Sequence, residues 1–267
     1  MAEQIWGLIA DLHDGSPTGI TATPDNAIQK GVKDAYESDV DWMGTVDRLV
    51  VNGDALDGAD KKGRENIETN LINQAIDAAT MIAKWDVKKE IILVTGTAYH
   101  VDVDGMNFEK VIKESLEKHM LLKGSSAKVT IKRKLKTTIN KWFMLEGRHK
   151  IGSSGIAHGR KTSMERSKFW NVINSALNSK GRGKEAKWPD LTFFAHVHYY
   201  GFAKDAFGAS MTLPCYQAIG SRFGDEACDG HIDIGCVRLT VKDTKEEGWL
   251  CEERLHPAAV VDRLEHR

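Results

Sequence analysis

The fold turns on one stretch, Leu49-Val50-Val51-Asn52-Gly53-Asp54-Ala55-Leu56-Asp57-Gly58. Leu49-Val50-Val51 is an uninterrupted apolar run of the kind that forms a buried strand, and Gly53 stops it. Asp54 therefore falls where a strand gives way to a glycine-flexible loop, at the carboxyl edge of a sheet. Open α/β sheets hold their ligands at that edge. A carboxylate there can bridge two cations with its two oxygens, which no neutral side chain can do. Asp and Gly are also ordinary loop residues, so the meaning of the stretch depends on what else the chain delivers to the same edge.

Four more apolar runs end in the same way. Residues 5–10 read as a first buried strand, followed at once by Asp11-Leu12-His13-Asp14-Gly15. Period-two spacing puts Asp11 and His13 on one side of an extended chain, within reach of a single ion; the alternative is a strand-end turn with an incidental histidine. Residues 90–94 form a third strand, ending in Thr95-Gly96-Thr97-Ala98-Tyr99-His100. The run 142–145 is followed within a few residues by His149, and the loop Gly152-Ser153-Ser154-Gly155 leads on to His158-Gly159-Arg160. Residues 191–195 deliver His196-Val197-His198. Scattered surface histidines would not repeat this placement.

Between these ends the pattern is helical. A loop rich in Gly, Pro and Thr over 16–26 precedes a helix expected at 27–42. Ile67, Leu71, Ile72, Ala75, Ile76, Ala79 and Ile82 recur at helical spacing, as do Phe108, Val111, Ile112, Leu116 and Met120. His119 reads as a helix-terminal or surface residue. Strand, helix and strand in succession imply parallel pairing through helical crossovers. Over 127–139 the pattern changes to strict alternation, with Val129, Ile131, Leu135 and Ile139 on one face and Lys128, Lys132, Lys134 and Lys136 on the other. One long half-exposed strand is expected there, its lysine face either solvated and edge-protecting or in touch with a polyanion. Phe169, Trp170, Val172, Ile173, Ala176 and Leu177 predict a further helix. The chain beyond Tyr199 reads as antiparallel strands completing a second sheet. With no linker in evidence, residues 1–267 are expected to form a single domain.

The totals exclude several classes. A chain of 267 residues with 41% hydrophobic residues can bury a substantial core. A formal charge of −1 gives no global bias toward nucleic acid or an anionic membrane. No apolar run approaches the roughly 20 residues of a membrane span. Met1-Ala2-Glu3-Gln4 lacks the basic region and apolar core of a signal peptide, so a cytoplasmic location is expected. The four cysteines form no C-x-x-C pair and read as reduced thiols rather than a thiolate metal site. Neither a phosphate-binding P-loop nor the strand–elbow–helix setting of a serine nucleophile is present.

Asp-x-His, Gly-Asp-x-x-Asp-Gly, Gly-Thr-x-Tyr-His, a lone histidine and His-x-His follow one another over residues 11–198. This ordered set resembles the calcineurin-like metallophosphoesterase superfamily, and Gly-Thr-x-Tyr-His in place of Gly-Asn-His-Asp/Glu is similar to its phage-type members. The resemblance implies an α/β fold, a four-layer α/β/β/α sandwich of two mixed sheets flanked by helices. It implies two divalent metal ions, Mn2+ foremost, with Fe, Zn or Ni as alternatives; oxygen and imidazole donors without thiolates suit such ions.

Carried over by position, Asp11, His13 and His198 resemble the ligands of the first ion, Asp54 the bridge, and His196 a ligand of the second. The lone histidine is His149, nearer the strand end, or His158, which with Arg160 would otherwise meet substrate. The segment 95–100 departs from the family pattern. His100 there is a displaced ligand or the group that protonates the leaving oxygen, with Thr97 and Tyr99 as weaker candidates. The implied activity is phosphate-ester hydrolysis by a water activated between the two ions, on a nucleotide or nucleic-acid diester in preference to a monoester. A metal-retaining scaffold with little turnover is the alternative.

Overall fold

The computed structural model describes residues 2–59, 66–103, 106–152, 160–180, 185–219 and 232–256. Apolar runs build a first sheet from β1 (Gln4–Ile9), β2 (Val46–Asn52) and β3 (Val87–Val94), which pair in parallel. Their crossovers are α1 (Ala27–Met43) and α2 (Leu71–Ile82), as uninterrupted apolar strands require. Both helices open on an asparagine cap: Asn26 Oδ1 accepts from the Gln29 amide, and Asn70 Oδ1 from Ile72 and Asn73. The second cap explains why α2 starts at Leu71 and leaves Ile67 outside it.

A one-turn helix, α3 (Ala98–Val101), and the small hairpin of β4 (Asp102–Val103) and β5 (Met106–Asn107) lead into α4 (Phe108–Leu122). The alternating segment 127–139 departs from expectation. It is two strands, β6 (Lys128–Lys132) and β7 (Leu135–Ile139), in different sheets. β6 joins β3 in parallel, whereas β7 pairs antiparallel with β8 (Phe143–Gly147). The bend at Arg133-Lys134 carries the chain between sheets. Ile131 and Leu135 lie four residues apart, an even step, so the alternation continues in phase across the bend and cannot reveal it.

α5 (Arg160–Lys180) precedes β9 (Leu191–Phe194), β10 (Gly201–Asp205) and β11 (Gly208–Thr212). The second sheet has the order β10-β11-β9-β8-β7, with β9 parallel to both β8 and β11. Not all strands beyond Tyr199 enter this sheet. β12 (Ile234–Val241) and β13 (Trp249–His256) complete the first, in the order β13-β12-β1-β2-β3-β6, because β12 pairs antiparallel along β1.

Two mixed sheets flanked by helices result, the layering expected from the sequence. One apolar cluster fills the space between the first sheet and helices α1, α2 and α4, with Ile9, Leu49, Ile91, Val32, Ala78 and Leu116 fully buried. A second lies between the sheets and includes Leu8, Val50, Leu145, Phe193, Met211 and Leu239. Burial on both faces accounts for the continuous apolar runs of β1 to β3. α5 packs over β10 and β11 on the outer face of the second sheet. Met164 and Lys168 of this helix are buried, whereas Phe169, Trp170 and Leu177, whose spacing predicted the helix, are each more than half exposed. No helix among the described residues is long and apolar enough to cross a membrane.

Candidate metal centre

The loops after β1 and β2 run side by side. The amides of Asp11, His13 and Asp14 donate to the carbonyls of Gly53, Asp54 and Ala55, and the Asp57 amide returns to the Asp14 carbonyl. This ladder sets Asp-x-His directly beside Gly-Asp-x-x-Asp. Asp11 and His13 (both φ 49°), Asp54 (38°), His196 (73°) and His198 (55°) all adopt the left-handed backbone region. That region is sparsely populated for residues with a Cβ, and its use is concentrated at functional sites.

Three groups of side chains have ligand atoms within 4.8 Å of one another: Asp11, His13 and His198; Asp54, His149 and His196; and His13, Asp57 and His100. Asp11, His13, Asp54, His149 and His198 are buried. The first two groups adjoin, since His149 Nδ1 lies 3.7 Å from Asp11 Oδ1. Every histidine and aspartate read from the sequence as a ligand candidate within the described residues falls in one of these groups, whereas Thr97 and Tyr99 do not. His158 lies outside the described residues, and Arg160 opens α5.

Three of the imidazoles, His149, His13 and His100, are oriented through Nδ1. His149 Nδ1 is 2.9 Å from the Asn52 carbonyl oxygen, which it meets as a donor, leaving Nε2 toward Asp54 Oδ2 at 2.9 Å. His13 Nδ1 lies 2.9 Å from Asp57 Oδ1, which turns its Nε2 toward His198 Nε2 at 3.2 Å. His100 Nδ1 meets the Asp57 carbonyl oxygen at 2.5 Å, and its Nε2 stands 3.8 Å from Asp54 Oδ2. Thr97 reaches Asp54 twice, through its amide to Oδ1 (2.6 Å) and through Oγ1 to Oδ2 (3.1 Å), and the same hydroxyl is 3.2 Å from His149 Nε2. Tyr99 is 44% exposed, its ring edge-on to His100 at 5.0 Å between centroids.

Burial is the largest influence on the protonation of these groups, and neighbouring charge decides where it prevails. It pushes the Asp11 carboxyl up. It also pushes upward on Asp54, but His149, His196 and His100 outweigh it and hold that carboxyl well below the usual range. Burial disfavours the charged ring of His149, yet Asp54 and then Asp11 reverse this and raise its pKa to about 9. For His198, burial and the neighbouring His13 act together and lower its pKa well below the ordinary value. Such opposed shifts in one buried cluster mark a site built for charge.

The sequence reading assigned no role to Asp57, Asn52 or Glu109. Asp57 was legible as the second carboxylate of Gly-Asp-x-x-Asp-Gly. Asn52 contributes a backbone carbonyl, for which no side-chain signal exists. Glu109, in the first turn of α4, is buried and accepts from the Gly96 amide at 2.9 Å. That places its carboxylate behind the 95–97 segment, a contact that sequence spacing does not show.

No family model matches the chain, and no curated relative does. Among solved structures it is similar to an archaeal phosphodiesterase (12% identity, TM-score 0.43, 94% of this chain and 99% of that one). It is likewise similar to Vps29 of Entamoeba histolytica complexed with Zn2+ (10%, TM-score 0.42, 94% and 98%). It is also similar to a conserved uncharacterized protein of Streptococcus pneumoniae, a predicted phosphoesterase (11%, TM-score 0.37, 96% and 99%). The architecture rests on the strand order and layers described above rather than on these likenesses.

Proposed function

We propose that this chain is a metal-dependent phosphoesterase, acting as a phosphodiesterase on nucleotides or nucleic acid. The observation that carries the reading is the pair of adjoining His/Asp groups, buried but for the half-buried His196 and assembled from four separate strand ends. Their chemistry fits divalent ions. Asp11 Oδ1 is buried with no hydrogen-bond partner among the described residues, a costly arrangement unless a cation lies against it. Asp11, His13 and His198 would hold the first ion, and His149 and His196 the second, with Asp54 between them. Mn2+ is the favoured ion. Two such ions lower the pKa of a shared water and neutralise charge on the attacking and leaving oxygens.

The remaining steps belong to the chain's own groups. Asn52 and Asp57 lock the tautomers of His149 and His13, so each presents Nε2 to the centre. Thr97, in the segment that departs from the family pattern, sets its hydroxyl between Asp54 and His149 and supplies a neutral oxygen donor there. His100 is anchored at Nδ1, and its Nε2 faces Asp54; burial lowers its pKa, which makes the ring, once protonated, a ready donor to the leaving oxygen. His158 and Arg160 are assigned to substrate, with Tyr99 at the exposed margin.

The test is hydrolysis of bis-p-nitrophenyl phosphate and p-nitrophenyl phosphate by metal-stripped protein refilled with Mn2+, beside Asp54→Ala. Diester cleavage that needs metal and disappears in the variant is the expected result; cleavage of the monoester alone would redirect the reading to a phosphatase. The exposed apolar side chains of α5 favour a second reading, a metal-retaining interaction module. Two bound ions without turnover of either ester would establish it over the first.

A further inference from the structure

The lysine face of the alternating segment is not spent on the metal centre. Lys134 and Lys136 line a cleft of about 900 Å³ between the outer face of β7–β8 and α5, together with Arg148 and Lys187. α5 lies over β10 and β11, which leaves the outer face at β7, the sheet edge, open. Four cationic side chains face two acidic ones there, Glu146 and Glu185, a surplus of two positive charges in a chain whose formal charge is −1.

The cleft is built rather than a patch of loose lysines. Glu146, its side chain 3% exposed, takes Lys134 Nζ at 2.8 Å and Arg148 Nη2 at 2.7 Å on one oxygen, and so sets two cations side by side. Arg148 Nη2 also donates to Asn171 Oδ1 at 3.3 Å. Ser175 Oγ accepts from the Lys187 amide at 2.9 Å, which ties the segment carrying Lys187 to the helix. Lys136 and Lys187 are exposed, and no acidic partner engages either among the described residues. The opposite wall is a row of carboxamides, Asn171, Asn174 and Asn178, at helical spacing on one face of α5.

We infer that this cleft binds the phosphodiester backbone of single-stranded nucleic acid. A positive groove tracks such a backbone without reading sequence. Carboxamides both donate and accept, which suits the edges of unpaired bases. Arg148 and His149 are consecutive, so the cleft and the metal centre share the end of β8. The choice of ligand rests on the phosphoesterase reading; the charge and shape of the cleft do not.

The experiment is fluorescence anisotropy of the full-length Mn2+-loaded protein with a fluorescein-labelled phosphorothioate oligothymidylate of about 12 nucleotides. Titrations run from about 50 to about 200 mM salt, because phosphate contacts declare themselves in the salt slope. K136E/K187E should bind at least about 10-fold more weakly, with a slope of log affinity against log salt smaller by about 1.4. Its hydrolysis of bis-p-nitrophenyl phosphate should equal wild type, since neither lysine touches the centre. Should the charge reversal fold poorly by circular dichroism, K136Q/K187Q reads the same loss.

Absence of binding by wild type at the lowest salt would overturn the inference. So would equal binding by the variants, or equal competition by poly-glutamate of matched charge, which would make the cleft a site for acidic peptide. Oligonucleotide binding lost in K136E/K187E while wild type fails to cleave the small diester would remove the phosphoesterase reading and leave the cleft standing.

Discussion

His13 Nδ1 and Asp57 Oδ1 lie 2.9 Å apart across 44 residues of sequence. The contact fixes which imidazole nitrogen His13 turns toward His198 and Asp11. Burial opposes charge on the His13 ring, but the hydrogen bond that it donates to Asp57 and the charge of that carboxylate raise the pKa above the ordinary value. A carboxylate that orients a ligating histidine typically contributes about 10- to 100-fold in metal affinity or activity. Asp57→Asn should weaken Mn2+ binding by that order in calorimetric titration while the fold persists. Unchanged affinity would detach Asp57 from the centre.

Gly96 sits where a Cβ would run into the amide and carboxylate of Asp54. No unusual backbone angle is needed there; the position is closed by proximity alone. Gly96→Ala must therefore displace Asp54 or the 95–97 segment. It should cost about 2 kcal/mol in urea unfolding and most of the diester hydrolysis. A variant as stable and as active as wild type would contradict the packing described for this loop.

His149 and His158 compete for one role, and single substitutions separate them. His149→Ala should lower diester hydrolysis by about 100-fold and reduce bound Mn2+ measured by plasma mass spectrometry. His158→Ala should retain both ions and raise KM. The reverse pattern would hand the ligand role to His158.

Asp47 bears on stability rather than function. Burial pushes its carboxyl up, but Lys89 Nζ at 2.8 Å and the Ile5 amide at 2.9 Å together hold its pKa below the ordinary value. The folded state thus binds this proton more weakly than the unfolded chain. The stabilisation is present above the unfolded pKa of about 4 and disappears as pH falls through the lower folded value. Asp47→Asn should cost about 1 kcal/mol at neutral pH, with the difference from wild type vanishing in acid. A loss independent of pH in denaturant titrations would refute the electrostatic account.

The residues of the centre were legible one strand end at a time. Each of Asp11, Asp54, His149 and His196 follows an apolar run, and hydrophobic periodicity marks such runs whatever they later pack against. Parallel pairing of β1, β2 and β3 was equally legible, because strands covered on both faces must be apolar throughout. Periodicity fell silent where the chain changes partners without changing phase. The even step from Ile131 to Leu135 hid the passage from one sheet to the other, and β12 and β13 carried no sign that their place was beside β1.

Sequence by itself determined which side chains could serve and that strand ends would carry them, since those follow from local pattern and residue chemistry. Tertiary structure alone decided how they meet. The ladder between the two loops brings His13 to Asp57, the Asn52 carbonyl turns His149, and Thr97 comes to rest against Asp54. Backbone carbonyls and contacts across dozens of residues make those choices, and neither has a signature in the order of side chains along the chain.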